Sequence, residues 1–136
     1  MVRGIKALFD ALDRQMRDEA GMSHDDYILL TRLYRAEGQV MRMSELAAEL
    51  SSSPSRMSHT IARLEERGWV ERARADSDRR VVLARLTETG ADKLREASPR
   101  HLALGERLVV ETLGDEAVAE TADALDLIRR AAEDSG

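Results

Sequence analysis

At 136 residues, 43% of them hydrophobic and 35% charged, the chain is long enough for one domain with a real core and too short for two well-separated ones; this balance excludes a disordered tail, and no apolar run approaches the ~20 residues of a membrane span. Cysteine is absent, which removes disulfides, thiolate nucleophiles and thiol redox sensing together and makes the cytoplasm the default expectation. The formal net charge of −5 is unevenly spread: residues 51–85 hold Arg56, Arg63, Arg67, Arg72, Arg74, Arg79, Arg80 and Arg85 against Glu65, Glu66, Glu71, Asp76 and Asp78, a local +3 in a chain whose remainder carries −8.

A basic stretch in an acidic chain suits a molecule that meets phosphate on one face only, although a solvated charged helix and hairpin would give the same count. The opening Met1–Lys6 leads into a charged segment and not into a signal-peptide run. Ile5, Leu8, Phe9, Leu12 and Met16 recur at helical spacing and predict an amphipathic first helix, ended by Gly21. Ser23 or Asp25 is placed to cap a second helix carrying Tyr27, Leu30, Leu33 and Tyr34, which Gly38 stops. Gln39-Val40-Met41-Arg42-Met43 is expected to be a short extended link. Ser44 then stands where an N-cap belongs, and Leu46, Ala47 and Leu50 form the stripe of a short third helix.

Ser51-Ser52-Ser53-Pro54 predicts a tight turn, with Ser53 as cap and Pro54 as first residue of a fourth helix, where its missing N–H costs nothing. Met57, Ile61 and Leu64 define that helix's core face, and Gly68 closes it. Trp69–Arg72 and Val81–Ala84 read as a strand pair around the turn-rich Ala75–Asp78. Thr87 caps a helical region expected to run to about Leu113, kinked or interrupted by Pro99. A last helix starts at Asp115 and Glu116, with Val118, Ala122, Leu125 and Ile128 on one face. The fold class is therefore mainly α with a short β-hairpin wing.

Two short helices joined by a tight turn, followed by a two-stranded hairpin, make a winged helix-turn-helix. Opposite the core face, the fourth helix shows Ser55, Arg56, Ser58, His59, Thr60 and Arg63, with no carboxylate until Glu65. Ser44 and Ser53, at the starts of the two helices, complete that candidate set. A face that approaches phosphates and reads base edges excludes Asp and Glu in this way. Asp78-Arg79-Arg80 falls at the hairpin tip, where an arginine can enter a narrow minor groove and a nearby carboxylate can hold its guanidinium. A solvated turn with an incidental ion pair is the plain alternative.

These residues resemble the MarR (multiple antibiotic resistance regulator) family of winged-helix transcription factors. The resemblance rests on Met43-Ser44-Glu45-Leu46-Ala47, Ser53-Pro54-Ser55, Arg63-Leu64-Glu65-Glu66-Arg67-Gly68-Trp69-Val70-Glu71-Arg72, and Ser77-Asp78-Arg79-Arg80 through Leu86-Thr87-Glu88-Thr89-Gly90. The family's wing motif maps onto Asp78 and Arg80, with Arg79 an added base, and which of the two arginines enters the groove stays open. Two positions depart from the pattern: Ser58-His59 replaces a Ser/Thr-Arg pair, and Val81 replaces a small residue.

The resemblance implies one domain over 1–136, with a DNA-binding lobe at about 24–90 and dimerisation helices at about 1–20 and 91–136. It implies a repressor binding palindromic double-stranded operators as a homodimer, with no membrane partner, cofactor or metal. Periodicity alone leaves open whether the terminal stripes face a second copy or their own core. The resemblance also implies a small phenolic or aromatic effector, for which Arg14, Met16, His24, Tyr27 and Tyr34 are the candidate contacts.

An enzyme is the competing class. His24, His59 and His101 are far apart in sequence, Gly68 and Gly90 are isolated, and His24-Asp25-Asp26 reads more simply as a capping loop than as a metal site. A winged helix that binds protein instead of DNA would lack the basic residues of helix and wing.

Overall fold

The computed structural model describes residues 1–136. It divides into two compact units, Met1–Pro99 and Arg100–Gly136. No helix is long and apolar enough to cross a membrane.

In the first unit, α1 (Val2–Ala20) ends at Gly21, whose φ of 66° is left-handed and whose N–H bonds the Arg17 carbonyl. Its apolar stripe divides: Leu12, Met16 and Ala20 are buried, whereas Ile5 and Phe9 remain 40% and 51% exposed. The second helix, α2 (His24–Arg35), starts at Ser23 with a full capping box. The Ser23 hydroxyl accepts from the Asp26 N–H and the Asp26 carboxylate accepts from the Ser23 N–H, satisfying two donors that a helix start otherwise leaves open.

Left-handed Gly38 and Gln39 turn the chain into β1 (Val40–Arg42). The expected extended link is thus a strand, too short to show alternation in the sequence. It pairs antiparallel with the later strand at Val82–Leu86, Val40 opposite Arg85 and Arg42 opposite Leu83. Because Arg42 is still paired, it stays extended, and α3 (Met43–Glu49) begins directly after it, with Arg42 as N-cap and without a side-chain cap bond. The expectation that Ser44 caps this helix is corrected: it lies inside the first turn.

The turn after α3 is closed by Ser51, at φ 51°, with the Ser52 N–H on the Ala47 carbonyl and the Ser51 N–H on the Ala48 carbonyl. This is the two-bond helix ending usually built on glycine. α4 (Pro54–Glu66) follows, with Pro54 in its first turn and the Ser53 hydroxyl accepting from the Arg56 N–H. Left-handed Gly68 ends it with the same bond pair, onto Glu65 and Leu64. β2 (Val70–Arg74) and β3 (Val82–Leu86) form a hairpin longer than expected, and the sheet order is β1-β3-β2. Met16, Leu30, Leu33, Leu46, Ile61 and Leu64 are fully enclosed at the centre of the core.

α5 (Glu88–Gly105) runs through Pro99 without the expected interruption, since the ring removes only the bond from residue 99 to residue 95. In the second unit a π-helical turn, Glu106–Val110, leads to α6 (Glu111–Leu113), and Gly114 at φ 80° separates it from α7 (Asp115–Asp134). No residue of α7 is buried: Leu125, Leu127 and Ile128 are 47%, 67% and 54% exposed.

Candidate nucleic-acid interface

The core face of α4 is Met57, Ile61 and Leu64, all buried. At 100° per residue, Ser55, His59, Ala62 and Glu66 lie opposite them. Ser55 and His59 are exposed, as is Arg56, while Ser58 and Thr60 on the two flanks are half-buried. Arg56 and Thr60 line a cleft of about 190 Å³ with Asp25 and Leu50, on the α2 side. Ser53 is engaged as the helix cap. Ser44, with Pro54 and Arg80, lines a cavity of about 560 Å³ between the helix pair and the wing.

Arg63 is engaged within the chain, although its side chain stays 50% exposed. Its two terminal nitrogens donate to the two carboxylate oxygens of Asp26 at 2.9 and 2.7 Å, and Asp26 is only 1% exposed. Burial acts to raise the Asp26 carboxyl; the Arg63 bonds, the Ser23 N–H and the guanidinium charge outweigh it and hold the carboxyl below its usual range. The outward, carboxylate-free surface is therefore the first two turns of α4, and it ends at the exposed Glu66.

At the wing tip, Asp78 fastens Arg80 from both ends. Its carboxylate accepts from the Arg80 backbone N–H at 3.0 Å and from the guanidinium at 3.1 and 3.2 Å. The Arg80 side chain is nonetheless 92% exposed. These bonds, the side-chain one foremost, lower the Asp78 carboxyl below its usual value. Arg79 is exposed, and its carbonyl accepts from Arg74 at 3.3 Å. Of the tip arginines, Arg80 is the one whose guanidinium bonds a carboxylate.

The remaining motif residues frame the wing. Thr87 caps α5, its hydroxyl accepting from the Gly90 N–H at 3.0 Å and donating to the Gly68 carbonyl. The Thr87 N–H bonds the Trp69 carbonyl at 3.1 Å. A Cβ on Gly90 would stand 2.1 Å from that carbonyl oxygen. Sequence spacing marks these glycines as helix punctuation; that Thr87 bonds both of them at the base of the hairpin is visible only in the fold.

The five candidate effector contacts do not share one environment. Met16 is 0% and Tyr27 6% exposed, both in the core, and the Tyr27 hydroxyl meets Ser98 Oγ at 3.2 Å. His24 stacks on Tyr27 and lies against Phe9, and burial depresses its pKa against the pull of Asp25 and Asp13. Arg14 is exposed, and Tyr34 is exposed beneath the Arg95 guanidinium. Sequence reasoning missed Asp26, legible as a capping residue but not as the partner of an arginine 37 positions away.

A helix pair with a tight turn, a second helix with an exposed hydroxyl, imidazole and guanidinium start, and a hairpin presenting a pinned arginine define a winged helix-turn-helix protein. The MarR family profile matches residues 22–82. The structure of AbsC from Streptomyces coelicolor superposes with a TM-score of 0.92 at 34% identity, covering 97% of this chain and 88% of that one. Sco3205 from the same organism, solved in complex with DNA, gives 0.88 at 36% identity, covering 97% and 81%. The transcriptional repressor MprA of Escherichia coli is 35% identical over 85 residues, 62% of this chain and 48% of MprA. The chain thus spans about half the length of that curated relative. The chain belongs to the MarR family of transcription regulators, which are not enzymes.

Proposed function

We propose that the chain is a sequence-specific, double-stranded-DNA-binding regulator that represses palindromic operators as a homodimer. The observation that carries this is the pairing of two surfaces. The start of α4 offers Ser55, Arg56 and His59 for the major groove, and the wing offers Arg80, exposed yet fastened, for the minor groove. The DNA complex of Sco3205 and the repressor name of MprA support it by similarity.

The homodimer reading is supported by apolar side chains left uncovered in each unit: Ile5 and Phe9 in the first, Leu125, Leu127 and Ile128 in the second. A second copy would remove this surface from water, with residues 24–90 as the DNA-binding lobe and the chain ends as the dimerisation region. Release by a small aromatic or phenolic effector rests on the family resemblance alone. Its candidate contacts are Arg14, Met16, His24, Tyr27 and Tyr34, of which Arg14 and Tyr34 are exposed and the other three buried in the single chain.

Selection from random duplex DNA, followed by footprinting and sedimentation of the complex, tests the proposal. The expected product is an inverted repeat whose half-sites lie about one helical turn, ~34–36 Å, apart and bind two copies. Failure to enrich any duplex sequence, or one copy on one unrepeated site, would overturn it. Placing the selected site over a reporter promoter then separates repression from activation.

A further inference from the structure

Arg63 in the last turn of α4 and Arg67, the C-cap one helical turn further on, reach back to the two sides of the corner joining α1 to α2. Arg63 grips Asp26 in the first turn of α2 through two bonds, 2.9 and 2.7 Å. Arg67 donates to the carbonyl of Gly21, the residue that ends α1, and its guanidinium lies 3.8 Å from the centre of the Trp69 ring. The corner has little slack. Gly21 is left-handed, Met22 is 1% exposed, and Asp26 is tied to Ser23 by the capping box.

Resting on the homodimer reading above, we propose that Arg63 and Arg67 are positioning residues that fix the tilt of α4 against α1 and thereby set the half-site spacing the dimer accepts. Neither acts by touching bases. Arg63 cannot exchange Asp26 for a phosphate without leaving a buried carboxylate unpaired. α1 carries the exposed Ile5 and Phe9 that a second copy would cover, so the pose of α4 on α1 is also its pose relative to the partner's reading helix. Inserting one base pair displaces the second half-site by ~3.4 Å and turns it by ~35°. A braced α4 cannot follow that movement; an unbraced one can.

The test compares wild type, Arg67→Met, and the neutral pair Asp26→Asn/Arg63→Gln on four duplexes: the selected palindrome, the same palindrome lengthened or shortened by one central base pair, and a single half-site. Wild type should prefer the native spacing by about tenfold or more, a usual size for coupling between two sites. Both variants should compress that ratio to about threefold or less while keeping the same base preferences within the half-site. A variant that is merely destabilised loses affinity on all four duplexes alike and leaves the ratio unchanged. Arg67→Met leaves the buried pair intact and so keeps the test decisive if the double variant does not fold. Variants that retain the wild-type ratio overturn the inference alone. A wild type without any spacing preference overturns the dimer reading together with it.

Discussion

Gly90 stands so close to the Trp69 carbonyl that a Cβ would fall 2.1 Å from its oxygen. No real contact is that short, and the obstructing atom is backbone, so even alanine must push the start of α5 away from the base of the wing. Gly90→Ala should therefore cost about 2–3 kcal/mol of folding stability, an overpacking penalty, read as a lower midpoint in thermal unfolding by circular dichroism. An unchanged midpoint would show that the two segments separate freely.

The pinned wing arginine gives a second expectation. Arg80→Ala should weaken operator binding about tenfold to a hundredfold with normal thermal unfolding, since the side chain is 92% exposed. Asp78→Ala should weaken it less, because it frees the guanidinium without removing it. Fluorescence anisotropy on the selected duplex checks both, and wild-type affinity for Arg80→Ala would exclude the wing from the interface.

On α4, positioning and base reading should separate. Arg56→Ala should lower affinity on every duplex and reduce the salt slope by about one unit, as expected for one phosphate contact. His59→Ala and Ser55→Ala should instead relax preference at one or two base positions. If all three act equally on specific and random DNA, this surface does not read sequence.

Burial of His24 gives the fold a pH dependence. The imidazole pKa is depressed below its ordinary 6.5 by desolvation, against the pull of Asp25 and Asp13. A base with a depressed folded pKa is protonated first in the unfolded chain, so this contribution is complete above pH 6.5 and is lost as pH falls towards the folded value. Urea unfolding followed from pH 7 to pH 5 should show stability declining in wild type and declining less in His24→Gln. Equal slopes would mean that His24 does not titrate in that range.

For the dimer, the test belongs on the exposed side of α1. Ile5→Glu combined with Phe9→Glu should yield a folded monomer in sedimentation that protects neither half-site where wild type protects both, because both residues are surface-exposed in the single chain. Leu12 lies on the same stripe but is only 9% exposed, and a charge there would damage the chain's own core. A folded monomeric variant with full-site protection would remove the requirement for dimerisation.

Residues whose partners are close in sequence were legible from the sequence. Ser23, Ser53 and Thr87 cap helices as their spacing predicts, and Met57, Ile61 and Leu64 are buried. The wing bond of Asp78 to Arg80 spans two positions and was likewise readable. What was not legible depended on distant partners. Ser44 loses its cap role because Arg42 pairs with Leu83, and Arg63 turns to Asp26, 37 residues away. Periodicity placed Ile5 and Leu12 on one stripe, but only the fold shows that Leu12 is enclosed and Ile5 is not.

The internal pairing of the cations also bears on how the protein is distributed in a cell. In the basic stretch, Arg63, Arg72, Arg80 and Arg85 each lie against a carboxylate of the chain, on Asp26, Glu65, Asp78 and Glu71. Each pair lowers the net positive charge that this stretch offers to arbitrary duplex, and the acidic remainder of the chain repels it. Chromosomal DNA should then be a poor sink for this regulator, leaving a large share of its copies unbound and searching. Occupancy of a cognate site would follow total protein closely, so a modest fall in expression or a moderate rise in turnover would register directly at the promoter.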